Sequence, residues 1–174
     1  MPSLSADDAT YKPNGNYWQG GVWAPATYMV LRGLNELGED ALAHEIAHNH
    51  HANVVEVYTK TGTLWENYAP ESANPGDPAH PDFVGWAGLP AIAVLFEQVF
   101  GLRANVPEGK LVWDVRLLEE HGVERYPFGK DGLLNLRCAA RRNLSDLPHV
   151  EVSSNVPVKL VVQWMDGTRQ IDAQ

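Results

Sequence analysis

Glu66 lies in Gly62-Thr63-Leu64-Trp65-Glu66-Asn67-Tyr68, a lone carboxylate set among aromatic residues. Flanking Trp65 and Tyr68 read as the wall of a low-dielectric cleft, the setting in which a single carboxylate serves as general acid or base. The plainer reading makes Trp65 a core anchor and Glu66 an acceptor of hydrogen bonds at a helix end. A second stretch, Tyr17-Trp18-Gln19-Gly20-Gly21-Val22-Trp23-Ala24-Pro25, puts two tryptophans five residues apart around a Gly-Gly pair. Such a turn lets backbone approach a ligand while flat rings stack on it, as a sugar cleft requires. It also fits a tight turn that packs its indoles inward.

A third pattern belongs to different chemistry. His44-Glu45-Ile46-Ala47-His48 matches the His-Glu-x-x-His signature of zinc peptidases, in which two histidines one helical turn apart hold the metal and the glutamate activates its water. The extended signature needs glycine where His51 stands. A downstream carboxylate ligand would have to be Glu66 or Glu71, neither on an obvious helix. The pattern is short and arises by chance in helices rich in Ala, His and Glu, so the expectation is a solvated face, with His44 and His48 as a low-ranking zinc pair. No other feature asks for a metal or cofactor.

These residues need elements to hold them. Pro25 suits a first helical turn, and Tyr28, Met29, Leu31, Leu34 and Leu37 give a helix over 26–37 that ends at Gly38. A second helix is predicted over 39–59, its buried stripe formed by Ala41, Leu42, Ile46, Ala47, Val54, Val55 and Val57, with Gly62 as its stop. Glu66 would follow directly. Prolines 70, 75, 78 and 81 make 69–82 an irregular loop placed to lie over a cleft. Gly85-Trp86 leads into a third helix over 89–100, apolar enough to be largely buried. After about residue 105, alternating segments at 111–117, 134–138 and 156–164, with turns at Gly122, 129–132, 153–155 and 166–167, predict four to six antiparallel strands. The fold class is therefore α+β: a flexible lead-in over 1–10, helices over 11–104, and a small antiparallel β domain over 105–174.

Composition narrows the function classes. The 174 residues carry a net charge of −9 and no basic block, which argues against a nucleic-acid partner. No membrane span or secretion signal is legible, so the expected location is the cytoplasm. The single cysteine, Cys138, excludes an intrachain disulfide and sits in an alternating segment as a small core residue.

Taken in order, the Tyr17 to Pro25 stretch, the helix start at 28–33, the Gly62 to Tyr68 stretch and Gly85-Trp86 resemble the closing helices of an (α/α)6-barrel glycoside hydrolase. The nearest group is family 63, which includes processing α-glucosidases and the mannosylglycerate and glucosylglycerate hydrolases; the trehalases of family 37 are more distant. The resemblance covers roughly residues 11 to 103. It implies that Glu66 is the general base of an inverting hydrolase and that Trp18, Gln19, Gly20, Trp23, Tyr68 and Trp86 line the sugar subsite. Gln19 and Gly21 stand where the family usually has Arg and Pro, which removes a charged clamp on a sugar hydroxyl. The family's general acid lies far upstream, and about three helices cannot close a barrel of twelve. The resemblance thus implies a truncated gene product or one piece of a split protein, inactive alone. It would bind a carbohydrate or small glycoside, and a homo-oligomer or partner chain would cover the 26–37 and 89–100 helices. A zinc hydrolase built on His44 and His48, or a non-catalytic structural or sugar-binding module, are the alternatives.

Overall fold

A computed structural model describes all residues 1–174. The chain forms two compact units, Met1–Gln98 and Val99–Gln174.

In the first unit, helix α1 spans Ala24–Glu36 and helix α2 spans Asp40–Thr61. Trp23 is extended at the start of α1, and Pro25 in the first turn forfeits only an N–H that has no intrahelical partner there. Gly62, at φ +75°, ends α2 by donating its N–H to the Tyr58 carbonyl at 2.7 Å, the left-handed cap that glycine adopts without strain. The two helices pack on each other through stripes narrower than the sequence predicts. α1 buries Ala24, Thr27 and Leu31 but leaves Met29 exposed, as is Leu37 just past its end; α2 buries Ala43, Ala47, His50, Val54 and Val57 but exposes Ala41, Leu42 and Val55. Apolar residues on two faces of one helix cannot all meet one neighbour.

The third helix, α3 (Pro90–Val99), has wide π-type turns, and it is not buried throughout: Val94 is enclosed while Ile92 faces solvent. Polar ties fix it against its neighbours. Tyr28 and Arg32 of α1 donate to the Glu97 carboxylate at 2.8 and 3.2 Å, and the Gln98 side chain donates to Asn35 at 2.7 Å. From α2, the His44 and His51 rings donate through Nδ1 to the carbonyls of Gln98 and Pro90 at 3.1 and 3.0 Å.

Where a flexible lead-in was expected, Pro2 bridges Val22 and the Ser3 N–H donates to the Gly21 carbonyl at 3.0 Å. No helix is long and apolar enough to cross a membrane.

The second unit holds seven strands, more than the predicted four to six. They are β1 (Leu102–Asn105), β2 (Lys110–Asp114), β3 (His121–Phe128), β4 (Gly132–Cys138), β5 (Val150–Ser154), β6 (Val158–Trp164) and β7 (Gly167–Ala173). One sheet runs β1-β2-β6-β7 and the other β3-β4-β5. The expectation of a purely antiparallel unit is corrected by β2 and β6, which pair in parallel with Leu111 opposite Leu160. Gly122 is no turn but an interior position of β3, where a side chain would strike the Leu136 carbonyl of β4. Inward positions alternate as the sequence indicates: Leu134, Leu136 and Cys138 on β4, Val158, Leu160 and Val162 on β6. Burial pushes the Cys138 thiol above its ordinary range, in keeping with an inert core residue.

Candidate functional site

The two aromatic stretches meet as backbone. The Val22 N–H donates to the Tyr68 carbonyl at 2.8 Å and the Tyr68 N–H returns to Val22 at 3.1 Å, a short antiparallel bridge. Val22 and Tyr68 share a core with Val54 and Val57 of α2, so the helix carries the bridge. The proline-rich segment folds back along the other side rather than standing free. His80 accepts from the Glu66 N–H at 2.9 Å, and the N–H groups of Gly76 and Phe83 bond the Asn67 and Leu64 carbonyls at 3.1 Å each. Gly76 sits close against this frame: a Cβ there would stand only 1.8 Å from Asn67 Oδ1, so a larger residue would have to displace the Asn67 side chain.

This frame gathers Tyr17, Trp18, Trp23, Glu66 and Trp86. Trp18 and Trp23 stack with ring centroids 4.2 Å apart and planes within 10°. Tyr17 stands edge-on to Trp23 at 4.8 Å, and Trp86 lies tilted 6.2 Å from Trp23 and 4.7 Å from Phe83. The Trp86 indole N–H donates to the Glu66 carbonyl at 2.9 Å. Trp23 is enclosed, whereas Trp18 is 57 % exposed and offers its outer face to solvent.

Glu66 is only 6 % exposed. Its Oε1 accepts from the Tyr17 hydroxyl at 3.3 Å, and its Oε2 is buried with no partner. Trp23 Nε1 and Asn67 Oδ1 are likewise buried and unpartnered. A donor and two acceptors left unsatisfied in one pair of bridged segments is unusual, since nearly all buried polar atoms find a partner. Burial first, and then the Glu66 charge and hydrogen bond, raise the Tyr17 phenol above its ordinary range.

Other expected site residues fall elsewhere. Trp65 does not wall Glu66; it packs against the Val22, Val54, Val57 and Tyr68 core, and its Nε1 donates to Thr61 at 3.0 Å. Tyr68 is 1 % exposed with its hydroxyl accepting from the Trp65 N–H at 3.3 Å, so its place is in the frame. Gln19 accepts from the Asn16 side chain, and Gly20, at φ +140°, passes so close to the Lys12 carbonyl that a Cβ would sit 2.7 Å from it. Tyr17 itself was missed as a ligand of Glu66; it adjoins Trp18 in sequence, but only the turn through Gly20 and Gly21 brings its hydroxyl back to residue 66.

His44 and His48 rings lie 6.2 Å apart, and no group of three or more His, Cys, Asp or Glu side chains gathers to hold an ion. His50 instead points inward, where burial lowers its pKa to about 3. In the β unit, an open concavity of about 590 Å3 is lined chiefly by residues of β3, β4 and β5, among them His121, Val123, Asn135, Arg137, Glu151 and Ser153, with no tryptophan or tyrosine.

The family model described as "Glycosyl hydrolase family 63 C-terminal domain" matches residues 1–95. An uncharacterized protein of Borreliella burgdorferi is 23 % identical over 142 residues, covering 75 % of this chain and 30 % of its own length. That stretch is longer than the first unit, so the likeness runs into the second. A protein of Schizosaccharomyces pombe named "Probable mannosyl-oligosaccharide glucosidase" is 30 % identical over 97 residues, which is 50 % of this chain and 12 % of the relative. The "Periplasmic trehalase" of Pseudomonas aeruginosa is 37 % identical over 60 residues, 34 % of this chain and 11 % of the relative. The chain thus spans less than a third of the length of these relatives. No solved structure matches.

Proposed function

Because the chain belongs to the family described as glycosyl hydrolase family 63 C-terminal domain, we propose that its first unit carries the general-base half of an inverting glycosidase site. Glu66 is the base, and Trp18 and Trp86 form the platform for a sugar ring, with the enclosed Trp23 stacked behind Trp18. The observation that carries this reading is the Glu66 carboxylate itself: buried, held at one oxygen by a phenol, and joined through its backbone to an indole of the aromatic cluster. Relatives named as a glucosidase and a trehalase make glucosides the substrates to try first.

An inverting hydrolase places its two carboxyl groups roughly 6.5–9.5 Å apart so that a water fits between base and sugar. In the step assigned here, the water loses a proton to Glu66 as its oxygen bonds the anomeric carbon. The bond to the leaving group breaks on the opposite face, and the leaving oxygen takes a proton from a carboxylic acid supplied by another segment or chain. Exposed Met29 of α1, Leu37 just beyond it and Ile92 of α3 mark the faces that such a segment, or a second copy, would cover.

The test is an assay of trehalose and α-glucoside binding and hydrolysis. The chain alone is expected to bind glucosides saturably without hydrolysing them, and to support hydrolysis once a polypeptide bearing the acid is added. Glu66→Gln should keep the binding and abolish the hydrolysis. Turnover that survives Glu66→Gln, or no binding of any glucoside, would refute the proposal.

A further inference from the structure

Tyr17 has φ +60°, a region that a residue with a side chain occupies only when its surroundings compel it. The compulsion is visible. The Gly21 N–H donates to the Tyr17 carbonyl at 3.0 Å, and a Cβ at Gly21 would stand 2.3 Å from that carbonyl, so the turn closes only with glycine at 21. The ring is then seated edge-on against Trp23 at 4.8 Å and Trp18 at 6.2 Å, with its hydroxyl 3.3 Å from Glu66 Oε1. Catalytic hydrogen bonds are often this long before a ligand arrives.

No other hydrogen bond reaches the Glu66 carboxylate, and Oε2 is left buried and unpartnered. Two oxygens of one carboxylate therefore have different environments. We propose that Tyr17 is a positioning residue for Glu66: its hydroxyl fixes Oε1 and so holds the carboxylate in one orientation beside the indoles. The turn through Gly20 and Gly21 exists, on this account, to deliver the phenol as well as the indoles. The left-handed backbone at Tyr17 is the local cost of that delivery. This assignment rests on the reading of Glu66 as base, but the contact that it needs can be tested without sugar or turnover.

The experiment is NMR on the full chain with 13C at tyrosine Cζ, titrated from neutral to alkaline pH, the Tyr17 signal being assigned from Tyr17→Phe among the six tyrosines. Tyr17 is expected to ionise above the ordinary tyrosine range, and Glu66→Gln to move that ionisation to lower pH while the other five signals stay in place. A Tyr17 ionisation unchanged by Glu66→Gln, with the remaining signals intact, would overturn the assignment. If Glu66→Gln fails to fold, the glutamate 13Cδ signal of Glu66 is compared between the parent and Tyr17→Phe: a displaced signal supports the contact and an unmoved one overturns it. Absence of glucoside binding would defeat the functional reading and leave these spectra unchanged, so the two failures are distinguishable.

Discussion

At the scale of single residues, the two stacked tryptophans should separate cleanly into a ligand role and a structural one. Trp23 is enclosed, and Trp23→Ala should cost about 3–5 kcal/mol of stability, as truncating a buried large aromatic does. Trp18 is largely exposed, so Trp18→Ala should weaken glucoside binding with little change in the urea midpoint; equal losses of stability in both variants would contradict the division. His50 gives a prediction in pH. Its folded pKa of about 3 lies below the unfolded value of 6.5, so between them the unfolded chain binds more protons and stability falls as pH falls. From pH 7 to pH 5 that one group should remove about 2 kcal/mol, and His50→Leu should flatten the slope. Urea unfolding of both proteins at the two pH values checks it; identical slopes would show that His50 is not buried neutral. Of these residues, Glu66, Trp18, Trp23 and Trp86 were legible as types in a pattern. His50 was not, because its apolar neighbours lie on a helix whose inward face the periodicity misplaced, and Tyr17 was not, because a left-handed backbone is invisible in the letters.

At the scale of elements, the site is a bridge between two loops laid on α2 and clamped from behind by the proline-rich segment. The clamp depends on close backbone approach, so Gly76→Ala should disturb it directly: its Cβ would collide with the Asn67 side chain. The expected outcome is faster amide exchange at Glu66 and Phe83, whose N–H groups bond His80 and Leu64, with amides in α1 unaffected. Unchanged exchange at those two amides would mean that the segment is not a clamp. The sequence marked where the helices stop, since glycine at 38 and 62 has a backbone reason to stand there. It misjudged which faces they bury, because α1, α2 and α3 all carry apolar residues on more than one side, and hydrophobicity alone does not choose among them. The β unit failed in the same way on topology: alternation reveals a strand and its inward residues, but not that β6 lies parallel to β2.

At the scale of the whole molecule, family membership and the short span of the relatives that the chain covers bear on what the exposed helix faces are for. Leu37, just past the end of α1, is 79 % exposed, and Met29 on that helix is 66 % exposed. Sedimentation velocity should show self-association that rises with concentration and falls in the Met29→Glu, Leu37→Glu variant; a monomer at every concentration would contradict cover by a second copy. The central claim is narrower, that a sugar sits against Trp18 and Trp86 beside Glu66. The most direct measurement labels the six tryptophans with 5-fluorotryptophan and follows their 19F signals during titration with trehalose and methyl α-glucoside. The account predicts that the Trp18 and Trp86 signals move saturably with one common midpoint while Trp113 and Trp164 of the β unit stay fixed. Movement confined to Trp113 or Trp164, or no movement at any indole, would contradict it.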